Sequence, residues 1–114
     1  MWRRTFLLAA SLALAGLALA RDAEVPDSAR QVELRNMLLQ DCGSCHGLTL
    51  KGGLGPALRP ENLAGKPREF LFETIRLGRP GTAMPPWGPI LKDAEIAWLV
   101  DQLVSGKALQ EAQR

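Results

Sequence analysis

The sequence offers few of the side chains that metal and acid–base chemistry require. Its 114 residues include two cysteines, one histidine and no tyrosine. Both cysteines and the histidine lie in the stretch DCGSCHG, at Cys42, Cys45 and His46. A structural zinc site needs four ligands, and the chain has no further cysteine or histidine to complete one. Strand patterns, repeats and low-complexity tracts are also absent, which leaves helices and loops to build the fold.

The first twenty residues have the pattern of a secretory signal peptide. The stretch MWRRTFLLAASLALAGLALA has a basic start at Arg3 and Arg4, an apolar run, and small residues up to Ala20. An uncleaved membrane anchor is the alternative, but the apolar run is shorter than the about 20 residues that a spanning helix requires. We therefore expect export to the periplasm, cleavage near Ala20 and no stable membrane insertion afterwards.

The charge of the expected mature chain is balanced. Residues 21–114 number 94, enough for one small domain, and carry 12 basic and 12 acidic residues because Arg3 and Arg4 leave with the signal. A near-neutral chain gives no support for nucleic-acid binding. Any docking of a protein partner must depend on local patches.

Three segments have the hydrophobic periodicity of helices. The first is capped either by Ser28, in a capping box with Gln31, or by Asp27, and runs to about Asp41. The second covers residues 67–77. The third, Asp93–Ser105, has the clearest pattern and is capped by Lys92 or Asp93. The residues expected to face inward are Val32, Leu34, Met37, Leu38 and Leu39 in the first helix, Phe70, Leu71, Ile75 and Leu77 in the second, and Ile96, Leu99, Val100 and Leu103 in the third.

Two long segments between these helices are rich in glycine and proline. Residues 43–65 and the stretch GRPGTAMPPWGPIL show no periodicity and read as loops. Loops of this length are unusual in so small a domain and suggest that a group other than protein fills the space between them. We divide the chain into a signal peptide (1–20), a flexible start (21–26), one folded domain (27–106) and a polar tail (107–114), expected to be frayed.

The arrangement C-x-x-C-H at Cys42, Cys45 and His46 is the attachment motif of a c-type haem. Two thiols one helical turn apart can add to the two vinyl groups on one side of a porphyrin, and the adjacent histidine then lies beneath the iron. A thioredoxin-like pair would follow a strand, whereas a helix precedes this motif. A disulfide would close a loop too short to stabilise much, and would leave His46 without a role. We predict one covalently bound haem c.

The iron also needs a ligand on its second face. No second histidine exists, so the candidates in the mature chain are Met37 and Met84. Met37 is only nine residues before His46 on the apolar side of the first helix, where it is expected to pack in the core. Met84 lies in TAMPPW, where prolines restrict the backbone, and a thioether there would raise the reduction potential. The alternative is an open or water-bound iron with Met84 merely packed.

These features together resemble the class I c-type cytochromes over nearly the whole mature chain. The resemblance rests on a helix leading into CxxCH, a GPAL segment, a middle helix, the AMPPW loop and a closing amphipathic helix. It implies an all-α fold of three to four helices around one covalent haem, with the first and last helices crossing. It also implies that the carbonyl of Pro56 accepts a hydrogen bond from His46, and that Met84 is the second axial ligand.

A narrower resemblance is to the small c-55X type cytochromes encoded beside cytochrome cd-type nitrite reductase in denitrifying bacteria. It is carried by DCGSCHGLTLKGGLGPALRPENLAGKP and GRPGTAMPPWGP. It implies denitrification as the process, with the periplasmic nitrite reductase as redox partner. We also expect an upstream electron donor and a monomeric protein. The resemblance also leaves open a role in the maturation of d-type haem.

The function expected from these residues is one-electron transfer and not enzymatic catalysis. A haem enzyme or sensor is the alternative, but it requires an open iron face, and peroxide chemistry further needs a distal acid or base that a second histidine would have supplied. Trp87 and the basic residues Lys51, Arg59 and Arg79 either reach the haem propionates or serve as ordinary packing and solvated groups.

Overall fold

The computed structural model describes residues 24–114. The segment expected to be a signal peptide and the first half of the expected flexible start, residues 21–23, therefore lie outside the described residues. Within residues 24–114 every regular element is a helix and no strand occurs, which confirms the all-α fold class. None of the helices in this range is long and apolar enough to cross a membrane.

Helix α1 (Ser28–Met37) is capped by Asp27, one of the two capping residues that the sequence allowed. The Asp27 carboxylate accepts a hydrogen bond from the Arg30 amide at 2.9 Å, which satisfies one of the free N–H groups of the first turn. The Gln31 side chain does not complete a capping box, because it donates instead to the carbonyl of Pro26 at 2.8 Å. The entering chain is thus fixed against the start of the helix.

The helical backbone continues past Asp41, the residue at which the first helix was predicted to end. A π-helical turn (Leu38–Cys42) follows α1 directly, and α2 (Gly43–His46) follows that turn. One run of helix therefore connects Ser28 to His46 and ends at Gly47, whose φ of 91° is accessible to glycine and strained for other residues. Single π turns within helices are frequent at functional sites.

Four further helices complete the fold. They are α3 (Pro60–Leu63), α4 (Arg68–Leu77), α5 (Asp93–Ser105) and α6 (Lys107–Ala112). Helices α4 and α5 have the predicted bounds to within one residue. Lys92 occupies the cap position of α5, and its amide donates to the Glu95 carboxylate at 2.9 Å. The short helix α3 falls inside the segment that was expected to be entirely loop.

The core forms where α1 crosses α5. Leu34 and Leu38 face Ile96 in a cluster in which all three side chains are fully buried. An ion pair closes the same crossing, since Nε of Arg30 lies 2.7 Å from the Glu95 carboxylate. A second pair, Arg68 with Asp101, joins α4 to α5. The first helix thus packs against α5, as the resemblance implied.

Several side chains expected to face inward do not. Val32, Phe70 and Leu77 each expose 53% of their surface. In α4 the inward positions belong to Leu71, Phe72 and Ile75, which pack on the core cluster. In α4 the prediction was wrong because the consecutive apolar residues Phe70, Leu71 and Phe72 leave the phase of the helix ambiguous, and Phe72 is the phenylalanine that packs on the core cluster. The exposure of Val32 has no comparable signal in the sequence.

The end of the chain also differs from the expected frayed tail. After Gly106, whose φ of 73° ends α5, residues Lys107–Ala112 form α6. Ala108 is fully buried and Leu109 packs against the core cluster. The polar residues that surround these two in the sequence concealed a short amphipathic helix.

Candidate functional site

The helical run that ends at His46 places both thiols and the imidazole in one small region. Cys42 is the last residue of the π turn, and Cys45 and His46 belong to α2. Neither cysteine is in a disulfide, and both are half-buried. Residues three apart on a helix lie on the same face, so Cys42 and Cys45 are neighbours along one side. This is the arrangement that attachment to two vinyl groups requires.

The imidazole of His46 is held by the backbone of the following loop. Its Nδ1 lies 2.7 Å from the carbonyl oxygen of Pro56, and the side chain is 9% exposed. A carbonyl can only accept a hydrogen bond, so Nδ1 carries the proton and donates. Nε2 then has a free lone pair for a metal, with the ring fixed in one tautomer. The geometry is the one that the predicted role of Pro56 requires.

Gly55 lies directly against the face of the same ring. A Cβ atom at this position would stand 2.7 Å from Cε1 and 2.9 Å from Nδ1 of His46, closer than real side-chain carbons approach. The Gly55 amide donates to the carbonyl of Cys45 at 2.8 Å, and the Gly52 amide donates to that of His46 at 2.8 Å. The loop therefore satisfies two free carbonyls at the end of α2 while it confines the imidazole.

An apolar cleft opens beside Cys42. It is bounded by α1 and the π turn on one side and by α4, α5 and the loop between them on the other. The residues that line it are Met37, Leu38, Cys42, Ile75, Trp87, Leu91, Leu99 and Leu103. Apart from the thiol, no lining side chain is one that ionises in water. Its lining is apolar, as the surroundings of a porphyrin attached at Cys42 would be.

The environment of Cys42 disfavours a thiolate. Burial, followed by the neighbouring Asp41 charge, raises the pKa of the Cys42 thiol to about 11. Cysteines of disulfide-exchange proteins have lowered pKa values instead, because the thiolate is the reactive form. The thioredoxin-like alternative is therefore disfavoured on electrostatic grounds as well as by the helix that precedes the motif.

The loop that carries Met84 is fixed against the end of α4. The Arg79 amide donates to the carbonyl of Met84 at 3.2 Å, and the amide of Met84 donates to Thr82 Oγ1 at 3.3 Å. Further along, the Trp87 amide donates to the carbonyl of Ile75 at 3.0 Å, which brings the indole to the cleft. The backbone around Met84 is thus restrained, and its role as a ligand stays a prediction.

Gly78 permits this loop to approach α4 closely. With φ of 66°, it lies so near the loop that a Cβ there would stand 2.6 Å from the carbonyl carbon of Pro85 and 2.8 Å from the carbonyl oxygen of Met84. In the sequence, Gly78 is only the residue that follows the second predicted helix, and no role is predicted for Gly55. The glycine-rich composition of both loops was the available signal, but it does not say which glycine contacts the site.

The side chains present fit a haem better than a metal ion alone. Within residues 24–114 no three His, Cys, Asp or Glu side chains cluster closely enough to hold an ion. Instead, one imidazole is fixed with Nδ1 bonded, two thiols lie on the same helical face, and an apolar cleft adjoins one of them. Cys42 and Cys45 would hold the porphyrin and His46 its iron.

Comparison with known proteins agrees with this fit. Residues 29–102 match the family described as Cytochrome C oxidase, cbb3-type, subunit III. Cytochrome c55X of Pseudomonas aeruginosa is 61% identical over 84 residues, which cover 74% of this chain and 71% of that protein. Cytochrome c55X of Stutzerimonas stutzeri is 55% identical over 103 residues, covering 90% and 88% of the two chains.

Solved structures give the same result. The c-type cytochrome NirC superposes with a TM-score of 0.71 at 60% identity, over 73% of this chain and 98% of that one.

A more distant relative is the dihydro-heme d1 dehydrogenase of Pseudomonas aeruginosa, 36% identical over 97 residues, which make up 85% of this chain and 18% of that protein. The predicted family and cofactor are thereby confirmed. The chain belongs to the class I c-type cytochromes of the cytochrome c55X type, which bind haem c covalently.

Proposed function

We propose that this protein is a periplasmic one-electron carrier of denitrification whose iron is held between His46 and Met84. The observation that carries the proposal is the fixed imidazole, with Nδ1 bonded to Pro56 and one face against Gly55. Such a ligand does not rearrange when the charge on a metal changes. Small rearrangement is what fast electron transfer needs.

The chain's own residues favour electron transfer over catalysis. When bound, haem c supplies an iron that alternates between the ferric and ferrous states. His46 is the only histidine of the chain and its Nδ1 is already engaged, so no imidazole is free to act as a distal acid or base. The cleft beside Cys42 is lined by apolar side chains, among them Trp87, Leu91 and Leu99, and offers no acid or base.

Met84 is the second axial ligand in this proposal. Its loop is anchored at both sides, through Arg79 and Thr82 before it and through Trp87 after it. A restrained backbone lowers the entropic cost of holding a thioether at a metal, and a thioether favours the ferrous state. With His46 and Met84 both holding the iron, no site would remain for a substrate.

An optical comparison of two methionine variants tests this ligand set. We expect Met84→Ala to lose the ferric sulfur-to-iron charge-transfer band and to bind carbon monoxide readily when reduced. Met37→Ala is the matched control, because Met37 also lines the cleft but should only pack there. Loss of the band in Met37→Ala with retention in Met84→Ala would reverse the assignment.

The partner in this proposal is cytochrome cd-type nitrite reductase, fed by an upstream donor. The likeness to cytochromes of the c55X type supports it, because small cytochromes of that type are encoded beside this reductase. A stopped-flow experiment tests the proposal by mixing the reduced protein with oxidised nitrite reductase. Transfer should be much faster than to an unrelated haem protein of similar potential, and equal rates would contradict the proposed pairing.

Maturation of d-type haem is the second candidate function. The supporting observation is the 36% identity to dihydro-heme d1 dehydrogenase, in which the matching region is a small part of a larger protein. In this alternative the cytochrome accepts electrons released by such an enzyme. Reduction of the ferric protein by that dehydrogenase and its substrate, at a rate that depends on cytochrome concentration, would favour it.

A further inference from the structure

Three buried side chains of the helical run from α1 to α2 have spacings that a regular helix does not align. Leu34 and Leu38 are fully buried, and His46 is 9% exposed. Leu34 and Leu38 are four residues apart and therefore share one face of α1. His46 follows Leu38 by eight residues, which in a regular α-helix places it about 80° away from that face. The imidazole would then point away from the buried side of α1.

The π turn removes this mismatch. The Gly43 amide donates to the carbonyl of Leu38, which is five residues before it and not four as in an α-helix. One turn therefore contains an additional residue, and Leu38 and His46 are placed as residues seven apart in a regular helix are. Residues seven apart lie only about 20° from alignment. His46 consequently projects from the same side of the helical run as Leu34 and Leu38, in agreement with the burial of all three.

Two contacts support the π turn from outside its own backbone. Ser44, which lies between the two cysteines, donates its hydroxyl to the carbonyl of Asp41 at 2.8 Å. Helix α6, near the other end of the chain, packs against the π turn, and its residue Ala108 is fully buried. The bend that leads into α6 is closely packed as well, because a Cβ at Gly106 would stand 3.1 Å from Cγ of Pro60. The turn that precedes the imidazole is thus supported by both near and distant parts of the chain.

From these contacts we infer that the π turn positions the iron ligand: it directs His46 to the buried face of α1, and Ser44 and α6 hold the turn in that form. The inference rests on His46 as the iron ligand of the proposed function and adds the residues that determine where its side chain begins. The hydrogen bond to Pro56 sets the tautomer and orientation of the ring, whereas the π turn sets the side of the helix from which the ring projects. Ser44 and Ala108 are positioning residues that act through His46.

Changes in the length of the π turn test this role of helix phase. Deletion of Gln40, an exposed residue of the turn, places His46 seven residues after Leu38, so that a regular helix gives the native direction. Insertion of an alanine between Gln40 and Asp41 places it nine residues after Leu38, and even with the π turn the imidazole is then about 80° away. We expect the deleted holoprotein to keep its haem and its ferric charge-transfer band, and the holoprotein with the insertion to lose the band.

The two length variants have opposite expected results, which makes the comparison decisive. Loss of the band after deletion of Gln40, or its retention after the insertion, would overturn the inference. Far-ultraviolet circular dichroism shows whether each variant keeps its helices. If the insertion variant does not fold, the substitutions of Ser44 described next decide the outcome.

Substitution of Ser44 in two backgrounds tests what holds the turn. Ser44→Ala removes the hydroxyl that bonds to Asp41, and in the full-length holoprotein it should shift the charge-transfer band and lower the denaturation midpoint. Ser44→Thr keeps a hydroxyl and should restore both. In the protein without Gln40 no π turn remains to be held, so Ser44→Ala should have less than about half of its effect there. Equal effects in the two backgrounds would mean that Ser44 acts on the cysteine motif alone, which contradicts the inference.

A pair of substitutions in α6 tests the support from the end of the chain. Ala108→Glu places a charge at a fully buried position, and Gln110→Glu makes the same change in charge at an exposed position of the same helix. The first should lower the denaturation midpoint and shift the charge-transfer band, and the second should change neither. A lowered midpoint with an unchanged band in Ala108→Glu would show that α6 only stabilises the fold, which contradicts its role in holding the π turn.

The native holoprotein separates this inference from the proposed function. If the native protein binds haem but has no charge-transfer band, the assignment of Met84 is wrong. The denaturation midpoints of the length variants and of the Ser44 variants then still test the π turn. If the native band is present and the variants do not follow the expected order, the proposed ligands stand and the role of the π turn is refuted.

Discussion

The carbonyl oxygen of Pro56 and Nδ1 of His46 are 2.7 Å apart, although ten residues separate them in the chain. This contact determines which ring nitrogen carries the proton, and so which one faces a metal. It exists because the helical run through α2 ends at Gly47 and the chain turns back immediately. The site thus depends on how a glycine-rich loop folds over the end of a helix.

Replacement of Gly55 tests that dependence. In Gly55→Ala the added Cβ would lie 2.7 Å from Cε1 of His46, so the ring or the loop must move. We expect weaker ligation by His46, seen as a changed optical spectrum of the reduced protein and a lower denaturation midpoint. Gly43→Ala is the control within the same motif, because its Cβ would meet nothing closer than 3.4 Å. A normal spectrum in Gly55→Ala would contradict the role assigned to this contact.

Truncation of Leu34 tests the crossing of α1 and α5. Leu34 is fully buried, and Leu34→Ala should lower the free energy of unfolding by about 2–5 kcal/mol. Val32 lies on the same helix and is 53% exposed. Val32→Ala should therefore change the free energy of unfolding by less than about 1 kcal/mol. Urea denaturation of the haem-containing proteins measures both. Similar losses in the two variants would mean that the helix packs by a different face.

The Arg30–Glu95 ion pair makes stability depend on pH in the acid range. The hydrogen bond from Arg30 holds the pKa of the buried Glu95 carboxyl below its usual value. A lowered pKa in the folded state means that the stabilising contribution is present above the unfolded pKa of about 4.3. It is lost as the pH falls through the folded value.

Glu95→Gln should therefore lower the melting temperature at pH 7, and its difference from the native protein should shrink as the pH falls below about 4. Glu33→Gln is the matched control, because Glu33 also pairs with Arg30 but its side chain is 64% exposed. Calorimetry over a range of pH measures both variants. A constant difference across the acid range would contradict the assignment to Glu95.

Removal of the two thiols tests the contribution of the haem to folding. Burial of one porphyrin face at about 25 cal/mol per Å2 is worth on the order of 10 kcal/mol, comparable with the whole stability of a small domain. A Cys42→Ala/Cys45→Ala chain should therefore lose most of its helical signal in far-ultraviolet circular dichroism. Native helix content in that chain would refute the claim that the haem is part of the core.

The sequence was sufficient for the main helices because their apolar residues repeat at helical spacing. Ile96, Leu99 and Leu103 in α5 have this pattern, and the observed bounds of that helix agree with the predicted ones. The sequence did not predict the π turn, because the one additional residue in such a turn does not change the amino-acid composition. Helix α6 was missed because polar neighbours obscure Ala108 and Leu109.

Some residues of the candidate site could be predicted from their chemistry, and others could be found only from their contacts in the structure. The spacing of Cys42, Cys45 and His46 predicts their roles directly, because attachment to a porphyrin requires that spacing. The hydrogen bond from His46 to the Pro56 carbonyl was predicted only through the family resemblance, because a backbone carbonyl has no side-chain signal in the sequence. The contact of Gly55 with the ring was not predicted, because this residue contributes only the absence of a side chain. Both contacts depend on how closely the loop after α2 approaches the His46 imidazole.

The central claim is that Cys42 and Cys45 bind one haem c whose iron is held by His46 and Met84. The most direct measurement combines the mass and the optical spectrum of the protein exported by cells that mature c-type cytochromes. The account predicts a coloured chain whose mass exceeds that of the polypeptide by one haem, with a ferric charge-transfer band that disappears in Met84→Ala. A colourless protein of plain polypeptide mass would contradict it.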